Sequence, residues 1–166
     1  NLQGQALKVA PSRHLKNYAT DITLLAYCLM PNHFHLLVKQ TAFNAMNRFI
    51  QSILTKYSVY FNKKYRRVGP LFQGRYKAVL VENENQFLYL TKYIHRNPLD
   101  ILPTRPGLEG YPYSSYQNYL HNIQQIWVKP QEILGYFSHT NPSISYKSFA
   151  EDTSEFGNIE HLAFTE

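Results

Sequence analysis

Two histidines, His33 and His35, stand one residue apart in the otherwise apolar run YCLMPNHFHLLVKQ, Tyr27 to Gln40. In an extended chain alternate side chains share a face, so both imidazoles point one way while Phe34, Leu36 and Val38 point the other. At about 3.3 Å per residue the pair lies roughly 7 Å apart along the strand, suited to gripping one ion or one phosphate. The same spacing serves two hydrogen-bonded structural histidines or a zinc-type site, and the pair alone does not choose among these. A second pairing comes later in the chain. Tyr93 and Asn97 are four residues apart, which on a helix stacks them one turn above the other on a single face. Of the 14 tyrosines, only Tyr93 has an asparagine at that offset on a predicted helix. Taken alone, Tyr93 is an ordinary amphipathic boundary residue and Asn97 a helix-ending residue before Pro98.

These residues need elements to hold them. From Ile22 the run ITLLAYCLM is apolar at nearly every position, as in a strand covered on both faces. Pro31 and Asn32 make a turn and HFHLLVK returns as a second strand, an antiparallel hairpin. Phe43, Met46, Ile50, Ile53, Leu54, Tyr57 and Phe61 recur at three- and four-residue steps, which predicts a long amphipathic helix. Its end runs into NKKYRRVGP, where Lys63, Lys64, Arg66 and Arg67 form the densest positive cluster, either a solvated loop or a contact to DNA backbone. RYKAVLVE, residues 75–82, predicts a third strand, after a polar break at Gln73, Gly74, Arg75 and Tyr76. NENQFLYLTKYIHRN, residues 83–97, predicts a second helix with Phe87, Leu90 and Ile94 as its apolar stripe, stopped by Pro98. His95 and Arg96 near its end read as partners of the helix dipole or as phosphate contacts. Gly, Pro, Tyr and Ser dominate residues 103–116, a linker-like composition. Beyond it SSYQNYLHN and PQEILGYF suggest short helices and the acidic residues 151–166 a frayed or packed tail. Residues 1–20 are weakly patterned, with a short helix suggested by SRHLKNYATD. Strand, strand, helix, strand, helix is an α+β order, an antiparallel sheet with helices packed on it. The second helix can then face the histidines.

Composition bounds the class. At 166 residues the chain is long enough for one domain with a proper core. Lys plus Arg outnumber Asp plus Glu by 17 to 11, the pI is near 9.3, and aromatic residues make up 15%. Basic charge with many aromatics fits a nucleic-acid partner. Cys28 is the only cysteine and lies in an apolar run, so it reads as a small core residue and a reducing cytoplasm is the expected compartment. No apolar run approaches the roughly 18 residues of a membrane span, and the first residues show no basic-then-apolar signal pattern, so no membrane partner is expected.

The segments CLMPNHFHLLV, GPLFQGRYKAVLVE and YIHRNP, in that order and spacing, resemble the signature segments of the single-tyrosine HUH transposases, above all their REP-associated tyrosine transposase branch. The resemblance runs from about Ile22 through YPYSSY near Tyr116. It implies a ferredoxin-like (RRM-like) antiparallel sheet with helices packed on one face, plus a short helical C-terminal extension. Residues 1–102 would be the catalytic domain, and 103–166 a linker and the extension packed on it. His33 and His35 match the histidine pair that holds a divalent metal, Mg²⁺ or Mn²⁺, with Phe34 between them. Tyr93 matches the nucleophile and Asn97 the third metal ligand. The implied activity is nicking and rejoining of single-stranded or hairpin DNA through a covalent 5′-phosphotyrosine intermediate, with Lys63, Lys64, Arg66, Arg67, Arg75 and Arg96 expected on the DNA. Monomer and homodimer are both open. Family members usually begin with an extra strand, a Gly/Arg-rich turn and a helix, which residues 1–20 do not show.

The chemistry is coherent with that resemblance. A phenol is mostly protonated at neutral pH, so a tyrosine nucleophile needs a cation or base close by. Imidazole suits Mn²⁺ or other transition metals better than Mg²⁺, so ligand type alone leaves the ion open. A non-catalytic nucleic-acid-binding module of ferredoxin-like fold is the alternative. It accounts for charge and aromatics but leaves the His33, His35, Tyr93 and Asn97 pattern to coincidence. A histidine-triad hydrolase of small phosphate esters would need a further histidine where Leu36 and Leu37 stand.

Overall fold

A computed structural model describes residues 16–102 and 107–153. The apolar run forms β1 (Ile22–Leu29) and the histidine segment β2 (Phe34–Gln40), paired antiparallel as expected. Leu25, Ala26, Tyr27 and Cys28 are buried in succession, so β1 is covered on both faces. Pairing begins at Phe34, one residue later than the sequence suggests. His33 lies in the hairpin mouth, where its carbonyl accepts from the Met30 amide at 2.8 Å.

After the hairpin come α1 (Ala45–Tyr65) and α2 (Glu84–Arg96), the latter running into a 3-10 turn, Asn97–Asp100. The Asn83 side chain caps α2 by accepting from the Gln86 amide at 2.8 Å, and Pro98 falls just past its last α-helical residue. Three short helices follow: α3 (Tyr116–Tyr119), α4 (Gln131–Leu134) and α5 (Tyr146–Glu151). The order is α+β, as the sequence predicts. No helix among the described residues is long and apolar enough to cross a membrane.

Three expectations are corrected. The long helix does form, but of its apolar stripe only Ile50 is buried, Phe43 being 90% exposed. From Gln51 to Tyr65 no residue of α1 is buried, so only its first turns, with Ala45 and Ile50, reach the core. Second, residues 75–82 form no strand; Val79 and Leu80 are exposed, and among the described residues the sheet has two strands. The outer edge of β1 is closed to a third strand, its backbone groups being already paired with the C-terminal region. Leu29 N–H donates to Tyr113 O at 2.8 Å, Ser115 N–H to Tyr27 O at 3.0 Å and Lys129 N–H to Leu24 O at 2.9 Å. The Tyr111 and Tyr119 hydroxyls donate to the carbonyls of Leu29 and Leu25 at 2.6 and 2.9 Å. Leu25 sits where the strand register slips, and Tyr119 satisfies the carbonyl that the irregularity leaves over.

Third, the described part of the linker-like stretch is core. Leu108, Tyr111, Ser114, Ser115 and Tyr116 are buried, and Tyr116, Tyr119, Ile133, Leu134 and Tyr146 pack with Leu25, Leu37 and Ile94 in one cluster. The expectations for residues 1–15 and 154–166 lie outside the described residues; the described part of SRHLKNYATD, residues 16–21, is coil and turn instead of helix.

Candidate active site

The hairpin mouth and α2 meet at the histidines. The His33 and His35 rings stand edge to face, centroids 4.8 Å apart. His35 meets the Tyr93 ring at 5.6 Å, again edge to face. Asn97, one turn beyond Tyr93, donates its side-chain amide to the Tyr93 carbonyl at 3.2 Å and also lies within hydrogen-bonding reach of His35. The four residues singled out by type and spacing are therefore together, brought in by two segments about sixty residues apart in the chain. Phe34, turned away by strand alternation, meets Phe72, whose ring meets Tyr57 of α1.

The environments of the two histidines differ. His33 is exposed, and its Nδ1 lies 2.7 Å from Asn32 Oδ1. An amide oxygen can only accept, so that nitrogen carries a proton and the contact fixes the ring's orientation. His35 is 8% exposed. Burial first, and the neighbouring His33 second, lower its pKa to about 4, against the opposing contact with Asn97. At neutral pH it is a neutral imidazole, the form that binds metals. Among the described residues no three His, Cys, Asp or Glu side chains converge. The donor set here is two imidazoles and one amide, and it fits a divalent cation because one histidine is already oriented by a neighbour and the other is held neutral.

The basic cluster is solvent-facing. Lys63 and Lys64 lie in the last turn of α1, and Arg66 caps it in the left-handed conformation, φ 51°. Lys64 stands 5.6 and 5.4 Å from the Tyr60 and Tyr65 rings, and Arg67 5.7 Å from Phe61, so cations and aromatic faces alternate on an exposed surface. Arg75 is exposed in the irregular segment after Gly74. Arg96 donates Nη1 to the Ala150 and Asp152 carbonyls at 3.1 and 3.2 Å, so part of its guanidinium is engaged at the end of α5.

His95 departs most from its sequence reading. It is fully buried, which excludes a phosphate contact in this conformation, and burial lowers its pKa to about 3. Its partners, Ser115 and Tyr146, were not singled out by sequence reasoning; Ser115 lies in the hydroxyl-rich YPYSSY, which composition assigns to a linker, and nothing local marks Tyr146.

A family model described as "Transposase IS200 like" matches residues 6–97, a span that contains both histidines and Tyr93 and ends at Asn97. No curated protein and no solved structure matches.

Proposed function

The chain belongs to the IS200-like transposase family of single-tyrosine HUH enzymes, and on that premise we propose that it nicks and rejoins single-stranded DNA by transesterification through Tyr93. The observation that carries this reading is the convergence of Tyr93, His35, His33 and Asn97. His33, His35 and Asn97 would hold the divalent cation, Mg²⁺ or Mn²⁺, which when bound polarises the scissile phosphate and offsets charge developing on its oxygens. Tyr93 Oη forms a bond to phosphorus while the bond to the departing 3′ oxygen breaks. The phenol proton passes to solvent and the released 3′ oxygen takes one up. A 5′-phosphotyrosine diester replaces a DNA diester, so rejoining needs no ATP. The exposed Lys63, Lys64, Arg66, Arg67 and Arg75 bind the DNA backbone. The resemblance of these segments to the REP-associated branch favours a hairpin-flanked repeat as substrate.

The test is a labelled hairpin with single-stranded flanks, incubated with protein and Mn²⁺ and run on a denaturing gel. Wild type should give a covalent adduct and Tyr93→Phe none, although ring volume and helix are retained. Tyr89→Phe is the control. It lies one turn away on α2, but its ring packs on Phe149 at 5.9 Å, so this variant should still form the adduct. Adduct from Tyr93→Phe at the wild-type rate would end the assignment.

A further inference from the structure

A fully buried imidazole that uses both ring nitrogens sits two residues from Tyr93 and two from Asn97. His95 Nδ1 lies 2.6 Å from the Tyr146 hydroxyl on α5, and Nε2 lies 2.7 Å from Ser115 Oγ. Ser115 Oγ in turn accepts from the Tyr27 amide at 2.8 Å and donates to the Tyr27 carbonyl at 3.2 Å, so it is fixed to β1. One proton assignment satisfies the whole set: Tyr146 donates to Nδ1, Nε2–H donates to Ser115 Oγ, and Ser115 donates to Tyr27 O. The rings of Tyr119 and Tyr146 close round the imidazole, centroids 4.7 and 5.7 Å away.

We propose that His95 is a positioning residue for Tyr93 and Asn97, setting the rotation of α2 by locking it to β1 through Ser115 and to α5 through Tyr146. The inference rests on the reading of Tyr93 as the nucleophile. At 100° per residue Tyr93 and Asn97 share one side of the helix and His95 points to the other. At the roughly 6 Å radius of a helix's side-chain envelope, a ten-degree rotation moves a group about 1 Å. Misplacement by about 1 Å can cost a reaction about a hundredfold. Apolar contacts such as those of Ile94 hold the helix on the core but are non-directional; two hydrogen bonds to different elements fix its angle. Both anchors, Ser115 and Tyr146, lie outside residues 6–97 matched by the family model. In this chain the C-terminal extension thus supplies the support of the catalytic helix.

The experiment measures single-turnover adduct formation at saturating hairpin DNA and Mn²⁺, with DNA affinity and thermal midpoint recorded for each variant. Tyr146→Phe and Ser115→Ala remove one anchor each with little change of volume. Each should slow the covalent step tenfold or more while DNA affinity stays within about twofold. Tyr146→Phe should have no further effect in a His95→Leu background, since the imidazole it orients is gone. His95→Gln should recover part of the rate, because its terminal amide can still donate to Ser115. If Tyr146→Phe and Ser115→Ala are folded and react at the wild-type rate, His95 is a packing residue and the inference fails alone. If wild type forms no adduct, the nucleophile reading fails and takes this inference with it.

Discussion

Among the described residues two histidines, His35 and His95, are buried, and their protonation separates them from a surface residue. An unfolded histidine takes up a proton near pH 6.5, whereas His95 is held to about 3 and His35 to about 4 by burial. Between those values the unfolded chain binds more protons than the native one. The stability contributed by the two neutral imidazoles is complete above about pH 6.5 and is lost as pH falls toward 4. The groups facing His95 are Ser115, Tyr116, Tyr119 and Tyr146, none of which gains a charge in that window. The urea midpoint of the metal-free protein should therefore be lower at pH 5 than at pH 7.5, and His95→Gln should shrink the difference; a pH-independent midpoint would contradict the burial of both rings. Exposure decides the next case. Cys28 is fully buried and its thiol is pushed up to about 12 by burial, so the native protein at pH 8 should resist iodoacetamide while the urea-unfolded chain reacts. For the site itself, His33→Ala with His35→Ala should abolish adduct formation and leave DNA affinity nearly intact, since phosphate contacts supply most of the affinity. Asn97→Ala should slow the reaction and raise the Mn²⁺ concentration needed, because two donors remain. Gel assays across a metal titration check both, and full cleavage by the double variant would make the pair structural.

At the scale of elements, what could be read in the sequence is what local pattern encodes. The hairpin follows from an apolar run, a Pro-Asn turn and an alternating return; α2 follows from the three-and-four spacing of Phe87, Leu90 and Ile94 and from Pro98. His33, His35, Tyr93 and Asn97 were legible for the same reason, because strand and helix periodicity put each pair on one face. Residues 75–82 have strand composition, yet a strand also needs an unpaired edge, and the outer edge of β1 had gone to Tyr113, Ser115 and Lys129. No window of local sequence reports that competition. His95 was missed similarly, since its partners lie 20 and 51 residues away. Two tests belong here. Asn83→Ala removes the acceptor for the Gln86 amide and should lower stability by about 1 kcal/mol in urea titration. Replacing Lys63 and Lys64 by Gln should weaken DNA binding for all sequences and flatten the log–log salt slope by about 1.4, from about 0.7 per phosphate on single strands. An unchanged slope would return the end of α1 to the role of a solvated surface.

Across the whole molecule the boundary suggested by composition does not match the boundary of the core. Residues after 107 contribute Tyr111, Tyr116, Tyr119, Ile133, Leu134 and Tyr146 to the same cluster as Leu25, Leu37 and Ile94, and their backbone and hydroxyl groups pair with the outer edge of β1. Two consequences follow for a chain ending at residue 102. The carbonyls of Leu24, Leu25, Tyr27 and Leu29 and the amides of Tyr27 and Leu29 lose their partners, leaving an apolar strand with an open edge, a template for association with other copies. The core cluster also loses its aromatic half, and burying a tyrosine or isoleucine contributes on the order of 2 kcal/mol, so the loss of six is comparable to the roughly 5 to 15 kcal/mol by which whole domains are stable. The truncated chain should not form a folded monomer: size-exclusion chromatography should show aggregate, and circular dichroism no cooperative urea transition. A milder variant separates the edge from the core. Tyr119→Phe keeps the ring in place among His95 and Tyr146 but removes the donor to Leu25 O, so it should stay monomeric and lose roughly 1 to 2 kcal/mol, the cost of one buried unsatisfied carbonyl. A monomeric, cooperatively unfolding chain of residues 1–102 with the full-length urea midpoint would show that the extension decorates the fold instead of completing it.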